Sequence, residues 1–306
     1  MLREEGALDD ATAARASALD RGEIFSLHAE LRATMYAGVL LVTGGVGMIL
    51  ARNLDRLGPA AIVLLVALIA VACAVPALRA RRAGRDLTIA GDYLLLLAVL
   101  LASADLGYAE RQFTLLGPLW PQHLLLLALV HAWVAYAFGS SLVLAASLTA
   151  LAGWFGVGGG FAHALDVFPS SPELGGRALA CAAVITAWRY ADRRTRPESR
   201  FSDVFDHFAT NIAFWGALAW CLEPGWLLAG LPLVLALSTL SVRRGLTDAR
   251  EAFVVYGVLY AALGACFVVV PKIHGGTAVM WFVLMVVCAA AVALWQLRRA
   301  MREPAP

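Results

Sequence analysis

The chain has 306 residues, of which 61% are hydrophobic and 15% charged, with a mean hydropathy of +0.75. A soluble domain is about 45–50% apolar and about 25% charged, so these values exclude a soluble globular, disordered or disulfide-framed protein and indicate a polytopic membrane protein. The net charge of +2 comes without a run of like charge suited to nucleic acid, which excludes that partner class.

Residues 1–33 come first, with mixed charge and with Ala7, Ala11, Ala14 and Ala18 at helical spacing. A secretory signal peptide puts its apolar core directly after a short basic region. This segment does not, and reads instead as a short cytoplasmic helix able to dock a partner. Beyond it, a bilayer core of about 30 Å needs about 20 apolar residues per helix. Ten stretches approach that length: residues 34–51, 59–78, 90–108, 120–138, 141–158, 175–190, 208–222, 226–242, 252–271 and 276–297. The expected fold is an all-α, polytopic transmembrane bundle over residues 34–298, with a tail at 299–306. The shorter stretches imply tilt or local thinning of the bilayer. The breaks between them carry turn residues, as at Gly58-Pro59, Gly117-Pro118, Gly139-Ser140, Glu223-Pro224-Gly225 and Gly275-Gly276. Gly38, Gly44, Gly45 and Gly47 offer a close-packing surface on the first span. The glycine-rich stretch 156–160 lacks the Gly-Lys-Ser/Thr ending of a phosphate loop and reads as an outer connection.

Arginine placement sets the orientation. With the N-terminus inside, nineteen of the 24 basic residues fall in inner segments, alternating loop by loop, and five fall outside: Arg52, Arg56, Arg111, Arg177 and Lys272. Both termini are then cytoplasmic. A missed or extra span would scramble the alternation, so the sorting supports the count of ten. Trp120, Trp188, Trp220 and Trp226 fall near span ends, as an aromatic belt would. Two sets of five spans have opposite orientation, which is the arithmetic of an inverted repeat, although the halves show no convincing similarity. Cys73, Cys181, Cys221, Cys266 and Cys288 all lie in apolar runs and read as small hydrophobes.

The first span runs into its outer loop as GGVGMILARNLDRLGPAAIVLLV. Ala51, Asn53 and Asp55 match an Ala-x-Asn-Trp-Asp motif in which Leu54 replaces the tryptophan, and Gln112 and Phe113 stand near a Gln-x-Tyr element that lacks its tyrosine. With the charged N-terminus and glycine-rich first span, residues 1–155 resemble the bacterial predicted-membrane-protein family known as domain of unknown function 2157. The resemblance implies a bacterial inner-membrane protein and supplies no activity.

Ionisable groups inside spans are expensive and mark functional candidates. His131 lies mid-way along the fourth span, about 12 Å and 80° from His123 by helical geometry. It is either a neutral imidazole bonded to a neighbouring helix or a proton-linked or ligand-contacting group. Asn53, Asp55, Asp105, Glu110, Arg111, His123, Arg177, Glu223 and His274 all fall at the outer rim, where they would form a vestibule of both charge signs if the bundle gathers them. Asp203, His207 and Asn211 follow i, i+4, i+8 spacing into the seventh span from the cytoplasm, and Asp203 is placed to orient the His207 imidazole. Five arginines in 189–200 can touch anionic lipid, although their role in topology suffices to explain them. His28 and Glu30 lack further ligands, and no metal or cofactor is expected.

Ten spans with almost no soluble domain, together with His131 and Asp105, favour a permease for a small solute. A non-catalytic assembly or sensor component, docking a partner through residues 1–33, is the main alternative. An intramembrane enzyme acting on a lipid-linked substrate at the outer rim is the third.

Overall fold

A computed structural model describes residues 27–53, 58–157, 172–196, 199–223 and 225–302. Among these, all regular structure is helical: α1 (Leu27–Asn53), α2 (Pro59–Arg82), α3 (Ile89–Phe113), α4 (His123–Phe138), α5 (Ser141–Trp154), α6 (Pro172–Thr195), α7 (Ser202–Leu222), α8 (Leu227–Thr247), α9 (Glu251–Val269) and α10 (Gly276–Arg302). Each of the ten apolar stretches falls on one of these helices. Residues 1–26, most of the expected cytoplasmic segment, lie outside the described residues.

Among the described residues, five helices are long and apolar enough to cross a membrane: α2, α3, α8, α9 and α10. Helix α1 contributes only the shorter apolar stretch Ala33–Gly45, and the remaining four fall short for two reasons. Helices α4 and α5 have 16 and 14 residues, which span only about 24 and 21 Å at 1.5 Å per residue. Helices α6 and α7 are long but carry charge, Glu173, Arg177, Arg189, Asp192, Arg193 and Arg194 on α6 and Asp203 and Asp206 on α7.

The chain divides into two compact units, Met1–Leu115 and Leu116–Pro306. In the first, α1 and α2 both pack on α3. Pro59 starts α2 at a position where its missing N–H is no loss, and Arg79, Arg81 and Arg82 end it, where cations complement the carbonyl end of the helix. Helix α2 buries Ile62, Val66, Ala70 and Ala77, a single stripe at helical spacing. Thr88 caps α3 by accepting the Gly91 N–H at 3.1 Å.

In the second unit α7 is central, touching α5, α6, α8 and α9. Gly139 takes the left-handed conformation that ends α4, and the Ser140 hydroxyl then caps α5. The α4–α5 hairpin is tied further in by the Ser147 hydroxyl, which donates to the Ala128 carbonyl at 2.6 Å. Phe214, Ala217, Leu218 and Cys221 of α7 bury against Val234 of α8 and Tyr260 of α9 to form a core. Trp220 and Trp226 stack across the turn between α7 and α8, with centroids 4.9 Å apart. The apolar stretch of α10 packs along α9 and has none of its residues buried.

Small residues let these helices approach closely, as is usual where apolar surface meets apolar solvent. The close approaches are not at the first-span glycines: a Cβ at Gly38, Gly44 or Gly45 would meet nothing within 4 Å. They lie in the second unit. A Cβ on Gly216 of α7 would come within 2.9 Å of the Gly175 carbonyl oxygen of α6. One on Gly257 of α9 would stand 2.6 Å from Val242 Cγ2 and 2.7 Å from the Ser238 carbonyl oxygen of α8. Gly257→Val should therefore lower the thermal midpoint of the detergent-purified protein, by about 1–3 kcal/mol of overpacking. Gly107→Ala, with nothing within 4 Å of the new methyl, should leave the midpoint unchanged or raise it slightly, by up to about 1 kcal/mol of helix propensity. Equal midpoints for both variants would refute the close α8–α9 packing.

Candidate functional site

Asp206 sits in the second turn of α7 with its side chain 3% exposed. Burying a carboxylate without partners is prohibitive, and three arginines from three places in the sequence converge on it. Arg189 of α6 approaches Asp206 Oδ1 with Nε at 2.6 Å and donates through Nη2 to Oδ2 at 3.0 Å. Arg244, from the last turn of α8, donates to Oδ2 at 2.6 Å. Arg250, just before α9, donates to Oδ2 at 3.2 Å and pairs with Asp203 at 2.8 Å. Local structure favours the arrangement. Asp203 lies in the first turn of α7 and Arg244 in the last turn of α8, where each sign complements the helix dipole. Ala249 adopts a left-handed φ of 51°, a strained choice for alanine that ends the α8–α9 turn and returns Arg250 toward Asp206. The Ser241 hydroxyl fastens the same turn by donating to the Phe253 carbonyl at 2.7 Å.

Above this centre opens a cavity of about 370 Å³ lined by Arg189, Arg193, Arg196, Arg244 and Arg250, with Asp192, Asp248, Ser199 and Ser202 between them. Tyr136 of α4 contacts two of the lining residues: its hydroxyl donates to Asp192 at 2.9 Å, and the Arg196 guanidinium lies 4.5 Å from its ring centroid.

A polar ladder leads from the centre along the interface of α7 and α9. Its first rung is Asp203 with Arg250. In the second, His207 Nδ1 lies 3.1 Å from the Tyr256 hydroxyl, and its ring stacks on Phe253. In the third, the Tyr260 hydroxyl donates to Asn211 Oδ1 at 2.7 Å. The expected stripe is thus a built interface, with partners other than those the spacing suggested. Asp203 pairs with an arginine rather than orienting His207, because Arg250 reaches it across the α8–α9 turn. Asn211 Nδ2 donates back to the His207 carbonyl at 2.7 Å, so both polar ends of its amide are used.

The remaining candidates are dispersed. His131 is 5% exposed on α4 and hydrogen-bonds the Ala146 backbone of α5, a packed position between paired helices. On α3, Asp105 is half-buried, Glu110 is buried and Arg111 is exposed. Asp105 Oδ1 and the Tyr108 hydroxyl, one turn apart, are buried atoms with no hydrogen-bond partner among the described residues. Asn53 closes α1 and its side chain, like all of Asp55, lies outside the described residues. His123 opens α4 half-buried, and Arg177 pairs with Glu173 one turn earlier at 3.4 Å, both well exposed. The rim set is therefore divided: Asp105, Glu110 and Arg111 belong to the first unit, His123 and Arg177 to the second.

Asp206 itself escaped the sequence reading, as did the second role of Arg189, Arg244 and Arg250, which figured there only as topology determinants. One signal was present: a carboxylate one turn into an apolar helix, between two arginine-rich segments. Its partners stand 17, 38 and 44 residues away, beyond any local spacing rule.

Residues 1–144 match the family model described as "Predicted membrane protein (DUF2157)". Neither a curated protein nor a solved structure matches the chain. The match accounts for α1–α4 and the start of α5, close to the extent of the resemblance read from the sequence. Together with the five apolar helices it makes the chain a membrane protein with several candidate spans. The arginine cavity, the Asp206 centre and the ladder lie beyond the matched residues, Tyr136 excepted.

Removing one partner from a buried ion cluster leaves like charges facing each other, at a cost of about 3–5 kcal/mol. Asp206→Asn should therefore lower the thermal midpoint steeply. Arg177→Ala, which breaks an exposed i, i+4 pair, should change stability by less than about 0.5 kcal/mol. Comparable midpoints for the two variants in one detergent would refute Asp206 as the anchor of this helix end.

Proposed function

We propose that this is a ten-span protein of a bacterial inner membrane, with both termini cytoplasmic, acting as a permease for a small solute. The observation that carries the reading is the polar ladder between α7 and α9. Polar side chains inside a membrane bundle are costly and generally line a path or a site. Here three successive rungs run from an open, charged cavity into the interior of one unit. The inner-segment arginines identified by the charge rule, Arg189, Arg244 and Arg250, are those that meet at Asp206, so this end of the bundle faces the cytoplasm in that topology. The short α4 and α5 span by local thinning or by pairing with each other. The buried imidazole of His131 and the buried oxygen of Asp105 remain further candidates for the solute or proton path.

Two measurements test the reading. In a chain without its native cysteines, Thr195→Cys should react with a membrane-impermeant maleimide in inside-out vesicles and not in right-side-out ones. The opposite labelling would invert the topology. In proteoliposomes screened against small solutes, Asn211→Leu should reduce flux of the transported species at least tenfold while retaining a cooperative thermal transition. Undiminished flux in that variant would remove the ladder from the path, and absence of flux for every solute class would remove the permease reading itself.

A further inference from the structure

We infer that the arginine cavity of the second unit is a binding site for a phosphate group carried on a larger molecule. This rests on the permease reading only for which side of the membrane it faces; the recognition chemistry stands on geometry alone. Five guanidiniums line the cavity against two carboxylates, Asp192 and Asp248. Asp206, which lies beneath, is already shared by three of the five. Each guanidinium brings five N–H donors in a planar fork. The two oxygens of Asp206, with Asp203 and Asp248, use a minority of what Arg189, Arg244 and Arg250 offer. The buried carboxylate therefore holds the three guanidiniums in place without exhausting their donors. Arg193 and Arg196 join them around the same space, Arg196 held against the Tyr136 ring.

This is the chemistry that recognises a tetrahedral dianion by paired N–H donors. Two further features suit it. Ser199 and Ser202 are part of the wall, and the N-terminus of α7 begins at Ser202 with no side-chain cap on its first turn, the end of a helix that favours anions. A volume of about 370 Å³ lies in the range of small-molecule sites and exceeds what a bare inorganic ion needs. The occupant is then a phosphate monoester, either a soluble metabolite or the headgroup of an anionic lipid whose chains lie in the adjoining leaflet.

Thermal unfolding of the full-length purified protein tests this and separates the two sources. One arm titrates glycerol 3-phosphate in detergent, against sodium chloride at matched ionic strength. The other compares nanodiscs containing phosphatidic acid with nanodiscs of phosphatidylcholine alone. We expect a saturable rise in the midpoint, at least tenfold right-shifted in concentration in the Arg193→Gln/Arg196→Gln double variant, which leaves the three Asp206 partners intact. A rise in the first arm assigns a soluble phosphate ester. A rise confined to the second, lost in the same variant, assigns a lipid headgroup. No saturable rise in either arm, a rise matched by chloride, or one unchanged in the double variant overturns the site. Binding is read here without transport, so saturable binding in a protein that moves no solute would sink the permease reading and leave this site standing.

Discussion

The buried carboxylate of Asp206 is the constraint on which the second unit depends. One charged oxygen pair in an apolar helix end cannot be left alone, and its demand is met by arginines from the ends of α6 and α8 and the start of α9. Helices far apart in the chain are thereby fixed at one level. An ion pair of this kind is weak evidence for added stability, since desolvation offsets much of the Coulombic gain. Its contribution is register: any slide of α6, α8 or α9 along α7 separates a guanidinium from Asp206. Apolar helix faces cannot supply that specification as sharply, because packing between small residues tolerates a range of rotations and translations. The glycine contacts at Gly216 and Gly257 then hold close the helices whose register the charges have set.

Two kinds of residue in the bundle are therefore held by different physics. The core of Phe214, Leu218, Val234 and Tyr260 is packed by contact, and would tolerate volume-conserving exchange. The Asp206 centre and the ladder are satisfied by directed bonds, where replacing one member leaves its partner exposed to an apolar surround. Tyr260 belongs to both, stacking on Phe214 with centroids 4.4 Å apart while its hydroxyl donates to Asn211. It marks the depth at which the polar path gives way to packed core.

The helical architecture was legible because hydropathy is local: each apolar stretch read from the sequence falls on one helix, and the breaks at Gly139-Ser140 and Gly275-Gly276 lie where helices end. Which of those helices have the length and composition to cross a bilayer was less legible, since charges at the ends of α6 and α7 shorten their apolar runs while the helices themselves continue. The stripe of Asp203, His207 and Asn211 was readable from its spacing, as both sides of the pattern lie on one helix. Its partners were not. Tyr256 and Tyr260 repeat at the same four-residue spacing, but nothing in the sequence states that α9 rather than another helix lies opposite α7. Asp206 was the hardest case, for the arginines that make it tolerable had an adequate separate explanation in the charge rule. The same guanidiniums serve topology and site, and composition cannot distinguish a residue with one role from a residue with two.

The two polar systems share their elements, and that has a mechanical consequence. Helices α7 and α9 run parallel, with residues 203, 207 and 211 of α7 meeting, in the same order, Arg250 at the start of α9 and Tyr256 and Tyr260 within it. The rung at Arg250 belongs at once to the ladder, through Asp203, and to the ion cluster, through Asp206. It is carried on a turn held by the left-handed Ala249 and by the bond from Ser241 to the Phe253 carbonyl. A displacement of Arg250 toward an anion in the cavity would therefore pull on the start of α9 and load the His207–Tyr256 and Asn211–Tyr260 bonds together, since both lie on the helix that follows. One side chain, Arg250, thus belongs to the cavity wall, to the Asp206 cluster and to the first rung of the ladder, so the geometry of all three depends on the turn that carries it.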